Sequence, residues 1–145
     1  MPSSVRFAIR KYSMALILIV EDDVLLASVM RRALEPDGHE VHLAEDGKKA
    51  WAFLLKAKVD LLITDILMPE KDGLELIPQV RKKFPTTKIL ATSGGGQLGL
   101  KSYLGTAKAL GANETLPKPF SVTDFTALVI QLLGSHLQDS RLTPP

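Results

Sequence analysis

Acids, a hydroxyl and a lysine stand where apolar runs of this chain end. Glu21, Asp22 and Asp23 follow LILIV at 16–20, and Asp65 closes the apolar start of LLITDILMPEKDG at 61–73. Ser93 follows the run at 88–92, with Thr92 as the adjacent alternative hydroxyl, and Lys118 follows a short run at 114–116. Taken alone, Asp65 could be a solvated turn residue, a metal ligand or a nucleophile. Taken together, the groups narrow the choice. Carboxylates packed closely repel one another and bind protons more tightly unless a cation holds them, and all-oxygen ligation suits a hard ion such as magnesium. Lys118 adds a fixed positive charge for an anion, and Ser93 adds a hydroxyl donor. Acids, metal, lysine and hydroxyl describe a phosphoryl site, where chemistry is mainly positioning and charge neutralisation. In such a site Asp65 is an acceptor nucleophile of the aspartyl-phosphate kind.

These groups lie far apart in sequence, so the elements between them must bring them together. From Ala15 the chain alternates short apolar runs with longer amphipathic stretches, the pattern of strands and helices wound into a parallel sheet. Strands are expected at 16–20, 40–44, 60–64, 88–92 and 114–116. The first is too continuously apolar for a half-exposed strand and suits burial on both faces. Helices are expected at 24–35, with Leu25, Leu26, Val29, Met30, Ala33 and Leu34 at helical spacing, and around Ala50 to Leu55 behind an Asp46 cap. Further helices are expected from Gly73 to Phe84, with Pro78 anomalous inside it, from Leu100 to Leu110, closed by Gly111, and from Val122 to Leu133. The fold class is α/β, a doubly wound five-stranded parallel sheet with helices on both faces. Right-handed crossovers make all strands run one way, so the residues following them gather along one edge, where ligands of open α/β sheets bind.

The composition suits one domain. The chain has 145 residues, a net charge of +2, 46% hydrophobic residues and no cysteine. Lack of cysteine removes disulfides and thiolate chemistry, and suits a reducing cytosol. The charge is too small and dispersed for a nucleic-acid stripe, and no apolar stretch is long enough to span a membrane. Residues 1–14, basic at Arg6, Arg10 and Lys11, are expected to be an N-terminal extension, with Met1 and Met14 both open as starts. Residues 15–134 are expected to form the domain and 135–145 a C-terminal tail. His39, His42 and His136 show no metal-ligand pairing and are expected at the surface or in loops. Trp51 is expected to be a packing residue and Asp23 a helix cap.

The stretches ILIVEDD at 17–23, ITDILMPEKDG at 63–73, ILATSGG at 89–95 and LPKPF at 116–120, in this order, resemble the response-regulator receiver domains of two-component signalling. The resemblance covers about Leu16 to Leu133, and implies a stand-alone receiver with a flavodoxin-like fold. It further implies that Glu21 and Asp22 form an acidic pocket, that Asp65 is phosphorylated, and that the Leu67 carbonyl completes the protein's ligands to Mg2+. Ser93 would bond one phosphoryl oxygen and Lys118 another, with a cis Lys118-Pro119 bond. A histidine kinase or histidine phosphotransfer protein would supply the phosphoryl group, and a downstream protein would read it, docking on the segment around 98–116 and the last helix. The implied protein is cytoplasmic, a monomer or weak dimer, and a signalling protein that assists its own phosphorylation and dephosphorylation without being a dedicated enzyme. Two departures stand out. Thr115 occupies the place of the family's switch aromatic, and the segment SGGGQLGLKSYLG is lengthened and glycine-rich, with Tyr103 a candidate substitute contact.

Rival motifs fail on context. Gly94 to Gly99 satisfies GxGxxG, yet follows the fourth strand instead of the first, and Glu114 begins a strand instead of ending one. Leu100 stands where a P-loop requires lysine. Leu67 stands where a haloacid-dehalogenase-type phosphatase carries its second aspartate. The alternative of a different class is a phosphorylation-independent interaction module on the same fold; the intact acid, lysine and hydroxyl set argues against it, and Thr115 argues for it.

Overall fold

The structure, a computed structural model, describes residues 14–66, 73–93 and 100–142, with the backbone alone at 100–102 and 135–142. Five strands form one parallel sheet: β1 (Leu16–Val20), β2 (Glu40–Ala44), β3 (Leu61–Asp65), β4 (Lys88–Ser93) and β5 (Glu114–Pro117), in the order β2-β1-β3-β4-β5. Between and after them run α1 (Val24–Leu34), α2 (Gly47–Leu54), α3 (Gly73–Lys83), α4 (Leu100–Leu110) and α5 (Val122–Leu142). The order reverses direction at β1 and β3, so a crevice opens between the ends of these two strands.

Alternation along the strands sorts the interior into two layers. Leu18, Val20, Leu62, Ile89 and Ala91 face α2, α3 and α4, through Ala50, Leu54, Leu76, Ile77, Val80 and Ala107. Ile17, Ile19, Leu61, Ile63 and Leu90 face α1 and α5, through Met30, Leu34, Phe125 and Val129. Each large apolar side chain removed from water contributes about 1.5–3 kcal/mol. Because β1 and β3 are buried on both faces, the residues that follow them are held by the densest part of the interior.

Local signals behave as their chemistry requires. The Asp23 side chain accepts from the Leu26 amide at 3.1 Å and that of Asp46 from the Lys49 amide at 2.8 Å, satisfying donors that the helix itself leaves unpaired. Ser121 does the same for Asp124 at the start of α5, at 3.0 Å. Gly111 ends α4 with φ of 131°, a region L side chains rarely adopt. α3 continues through Pro78. Trp51 packs edge-on against Phe84, with ring centroids 5.8 Å apart. His42 is half-buried against Phe53, and His39 accepts from the Ala15 amide at 3.2 Å; burial lowers the pKa of His39 despite nearby Asp37 and Asp60.

Two expectations need correction. Leu25 and Val29, placed in the core stripe of α1 by their spacing, are exposed, because α1 meets the sheet and α5 along a narrower stripe of Ala27, Met30 and Leu34. The last helix does not stop near Leu133 but runs through Leu142. Gly134 lowers helix propensity by about 1 kcal/mol relative to alanine, which is too little to end a helix already nucleated and packed over three turns.

Candidate functional site

Glu21 and Asp22 follow β1 and Asp65 ends β3, so both sides of the crevice carry acid. The Glu21 amide donates to the Ala44 carbonyl at 3.0 Å, which holds this residue in the sheet ladder beyond the end of β1. Its Oε2 accepts from the Asp23 amide at 3.1 Å, turning the carboxylate back across the strand end. One oxygen from each of Glu21, Asp22 and Asp65 lies within 4.8 Å of the others. Glu21 and Asp65 are buried, at 4% and 6% exposure, while Asp22 faces solvent. Such a set, half sunk and open on one side, fits a hard cation that keeps part of its water.

Lys118 comes from the far side of the sheet. Its amide donates to the Ser93 carbonyl at 2.8 Å, and the following Lys118-Pro119 bond is cis, as the resemblance implied. The ammonium then spans the crevice, 2.5 Å from Glu21 Oε1 and 3.1 Å from Asp65 Oδ2. Burial raises the pKa of Glu21, and the hydrogen bond and charge of Lys118 offset only part of that effect. For Lys118, burial acts to lower the pKa, but the hydrogen bond to Glu21 and the charge of Asp65 outweigh it and the net direction is upward. Lysine and buried acid thus stabilise each other's charged forms.

A third element approaches from below. A Cβ built on Gly73 would lie 2.5 Å from the carbonyl oxygen of Asp65 and 2.7 Å from Ile66 Cα. Only a residue without a side chain allows α3 to start so close to the acid's own backbone. The DG signal thus marks a packing requirement as well as a turn. Gly73→Ala is expected to force Asp65 to shift, lowering stability by about 1–3 kcal/mol, as overpacking does, and disturbing the aim of the carboxylate. Denaturant unfolding checks the first effect.

Ser93 ends β4 at the same rim and is fully buried. Neither its Oγ nor the Oγ1 of Thr92 has a hydrogen-bond partner among the described residues. An unpaired buried hydroxyl costs about 1–3 kcal/mol, so two in succession at a strand end call for a functional explanation. Thr115 sits in β5 paired with Ala91, on the face of the sheet that also carries Ser93, and is half-buried. The Leu67 carbonyl, Pro69 and the glycine loop with its GxGxxG stretch at 94–99 lie outside the described residues. Sequence patterning missed the direct Glu21–Lys118 contact and the closeness of Gly73 to Asp65.

The family model for the response regulator receiver domain matches residues 17–130. The chain belongs to the receiver family. Among curated proteins it is similar to the transcriptional regulatory protein CpxR of Escherichia coli K12, 37% identical over 126 residues, covering 86% of this chain and 52% of CpxR. It is also 35% identical over 135 residues to NtrC of Azospirillum brasilense, covering 92% of this chain and 26% of NtrC. The chain therefore spans about half, or less, of these relatives' length. Among solved receivers, the chemotaxis response regulator CheY4 of Vibrio cholerae superposes with a TM-score of 0.74 at 30% identity, over 82% of this chain and 98% of that one. A CheY-like receiver domain protein from Methanospirillum hungatei gives 0.79 at 25% identity, over 87% of this chain and 98% of that one. Among the described residues no helix is long and apolar enough to cross a membrane.

Proposed function

We propose that this receiver takes a phosphoryl group from a phosphohistidine onto Asp65, and that the modified state changes which protein it binds. The observation that carries this is the convergence of Glu21, Asp22 and Asp65 oxygens within 4.8 Å, with the Lys118 ammonium across two of them. In the transfer, an Asp65 oxygen attacks phosphorus, a P–O bond forms as the P–N bond breaks, and the electron pair leaves with the donor imidazole. Lys118, freed from one carboxylate, pairs with a phosphoryl oxygen, and the Ser93 hydroxyl, which has no partner among the described residues, donates to another. Glu21, Asp22 and Asp65 would hold Mg2+, with the Leu67 carbonyl; the ion would neutralise the charge that gathers on the phosphoryl oxygens. Glu21 and Asp22 place carboxyl oxygens beside Asp65, so that the acid set is arranged to draw in a cation.

The donor is a histidine kinase or histidine phosphotransfer protein, and the output is a protein partner, read without direct nucleic-acid contact by the domain of residues 15–134. The whole chain's net charge of +2, to which Arg6, Arg10 and Lys11 contribute from outside that domain, supports the last point, being too small for a phosphate-tracking surface. Assistance to its own phosphorylation, without a separate enzymatic activity, suits a site built around a single acceptor carboxylate, Asp65. Cytoplasmic placement suits a cysteine-free chain whose donor is phosphohistidine.

Incubation with a small phosphodonor and magnesium, followed by intact mass, tests the proposal. The wild type should gain one phosphoryl group and Asp65→Asn none. Equal uptake by the variant, or none by either, would end it.

A further inference from the structure

We propose that the Thr92 hydroxyl shortens the lifetime of the phosphoryl group on Asp65, an inference that rests on Asp65 being the acceptor. Thr92 and Asp65 are partners in the β3–β4 ladder, and the Ile66 amide donates to the Thr92 carbonyl at 2.9 Å, so this register is locked beside the acid. Laterally paired residues of a parallel sheet project from the same face. Thr92 therefore stands next to the Asp65 side chain, whereas Ser93 starts from the opposite face. On the other side Thr92 pairs with Leu116 of β5. Lys118, two residues on, reaches Asp65 and Glu21 from β5, and the strand order requires its stem to pass over β4. Thr92 is thus placed on the strand between those that carry Asp65 and Lys118, at 1% exposure, with its Oγ1 unpartnered among the described residues.

A valine of the same shape would suit this position at least as well against the described residues of the resting fold, none of which bonds the hydroxyl. Phosphorylation changes the neighbouring group. One Asp65 oxygen then bridges to phosphorus, Lys118 pairs with the phosphoryl group, and the other Asp65 oxygen becomes a carbonyl that can accept from Thr92 Oγ–H. In hydrolysis, a water oxygen forms a bond to phosphorus while the bond from phosphorus to the Asp65 oxygen breaks. The electron pair of that bond returns to Asp65 as carboxylate, and the water's proton passes to solvent. Negative charge grows on the Asp65 carboxyl group as the bond breaks. A donor aimed there binds the transition state more strongly than the acyl phosphate and speeds loss of the phosphoryl group.

The test loads the full chain with a small phosphodonor and magnesium, removes the donor, and follows loss of the phosphoryl group by intact mass. Thr92→Val and Thr92→Ala are expected to retain it about three- to tenfold longer, the effect of one charge-assisted hydrogen bond made mainly in the transition state. Thr92→Ser should return the lifetime close to wild type, and Thr92→Val should melt at or above the wild-type temperature. A purely structural role for Thr92 would change the melting temperature and leave the lifetime alone. An unchanged or shorter lifetime in both hydroxyl-free variants, failure of both to load while the wild type does, or a serine variant as long-lived as valine would overturn the inference. Failure of the wild type itself to load would instead overturn the assignment of Asp65, and this inference with it.

Discussion

Lys118→Met will take up a phosphoryl group from a small donor about 100-fold more slowly than the wild type, while binding magnesium at least as tightly. In the proposed transfer the ammonium contributes charge to the phosphoryl oxygens, and loss of one such preorganised donor typically costs 10²- to 10³-fold in rate. Its resting position across Glu21 Oε1 and Asp65 Oδ2 sets it in competition with a bound cation for the same two carboxylates. Methionine removes that competitor and keeps most of the side-chain volume. In metal-free buffer the variant should also be less stable, by about 3 kcal/mol, because removing one partner of a largely buried ion pair strands the other. Added magnesium should recover most of that loss. Time-resolved intact mass reads the rate, and calorimetric titration with magnesium reads the affinity. An uptake rate within tenfold of wild type would refute the role given to the lysine.

Arg81→Met will destabilise the fold by about 3 kcal/mol while leaving the acid cluster at the opposite rim intact. Arg81, near the end of α3, spends all its donors. Nε and Nη2 donate to the Gly111 carbonyl at 3.1 and 2.9 Å, and Nη1 to the carbonyls of Pro85 and Thr87 at 2.9 and 2.8 Å. Nη2 also donates to Asn113 Oδ1 at 2.8 Å, and that oxygen accepts from the Ile89 amide at 2.8 Å. The Asn113 amide donates in turn to the Ile89 carbonyl, so one guanidinium ties the ends of α3 and α4 to the first residues of β4 and β5. Each bond contributes about 0.5–1.5 kcal/mol net, and the acceptors left behind are partly buried. Lysine should not rescue, since a single ammonium cannot reproduce the planar fork. Denaturant unfolding measures the loss, and hydrogen exchange should show α4 and β5 losing protection first. A loss below about 1 kcal/mol would mean that water replaces the network.

The same contrast runs through the molecule. Continuous apolar runs at 16–20 and 61–63 reveal β1 and β3, because strands covered on both faces are the ones that avoid polar positions so completely. Caps at Asp23 and Asp46 could be read because their hydrogen bonds reach only three residues ahead. Leu25 and Val29 were misplaced because helical spacing names the apolar side of a helix, but how much of it is covered depends on which neighbours arrive. The end of the last helix, expected near Leu133, lies further on for a related reason, since helix propensity is local and weak whereas the contacts that hold α5 are distant.

At the site, the sequence by itself determined which groups are present and that they follow strands, and chain chirality did the rest by gathering strand ends at one edge. It could not determine that Lys118 rests on Glu21 as well as Asp65, that Gly73 leaves the start of α3 almost touching the backbone of Asp65, or that the Thr92 hydroxyl is buried with no partner among the described residues. Each of those facts is a distance between residues far apart along the chain, and such distances are set by the packing of whole helices and strands, to within fractions of an ångström. Periodicity tells a side chain which way to face; only its neighbours decide what it meets there.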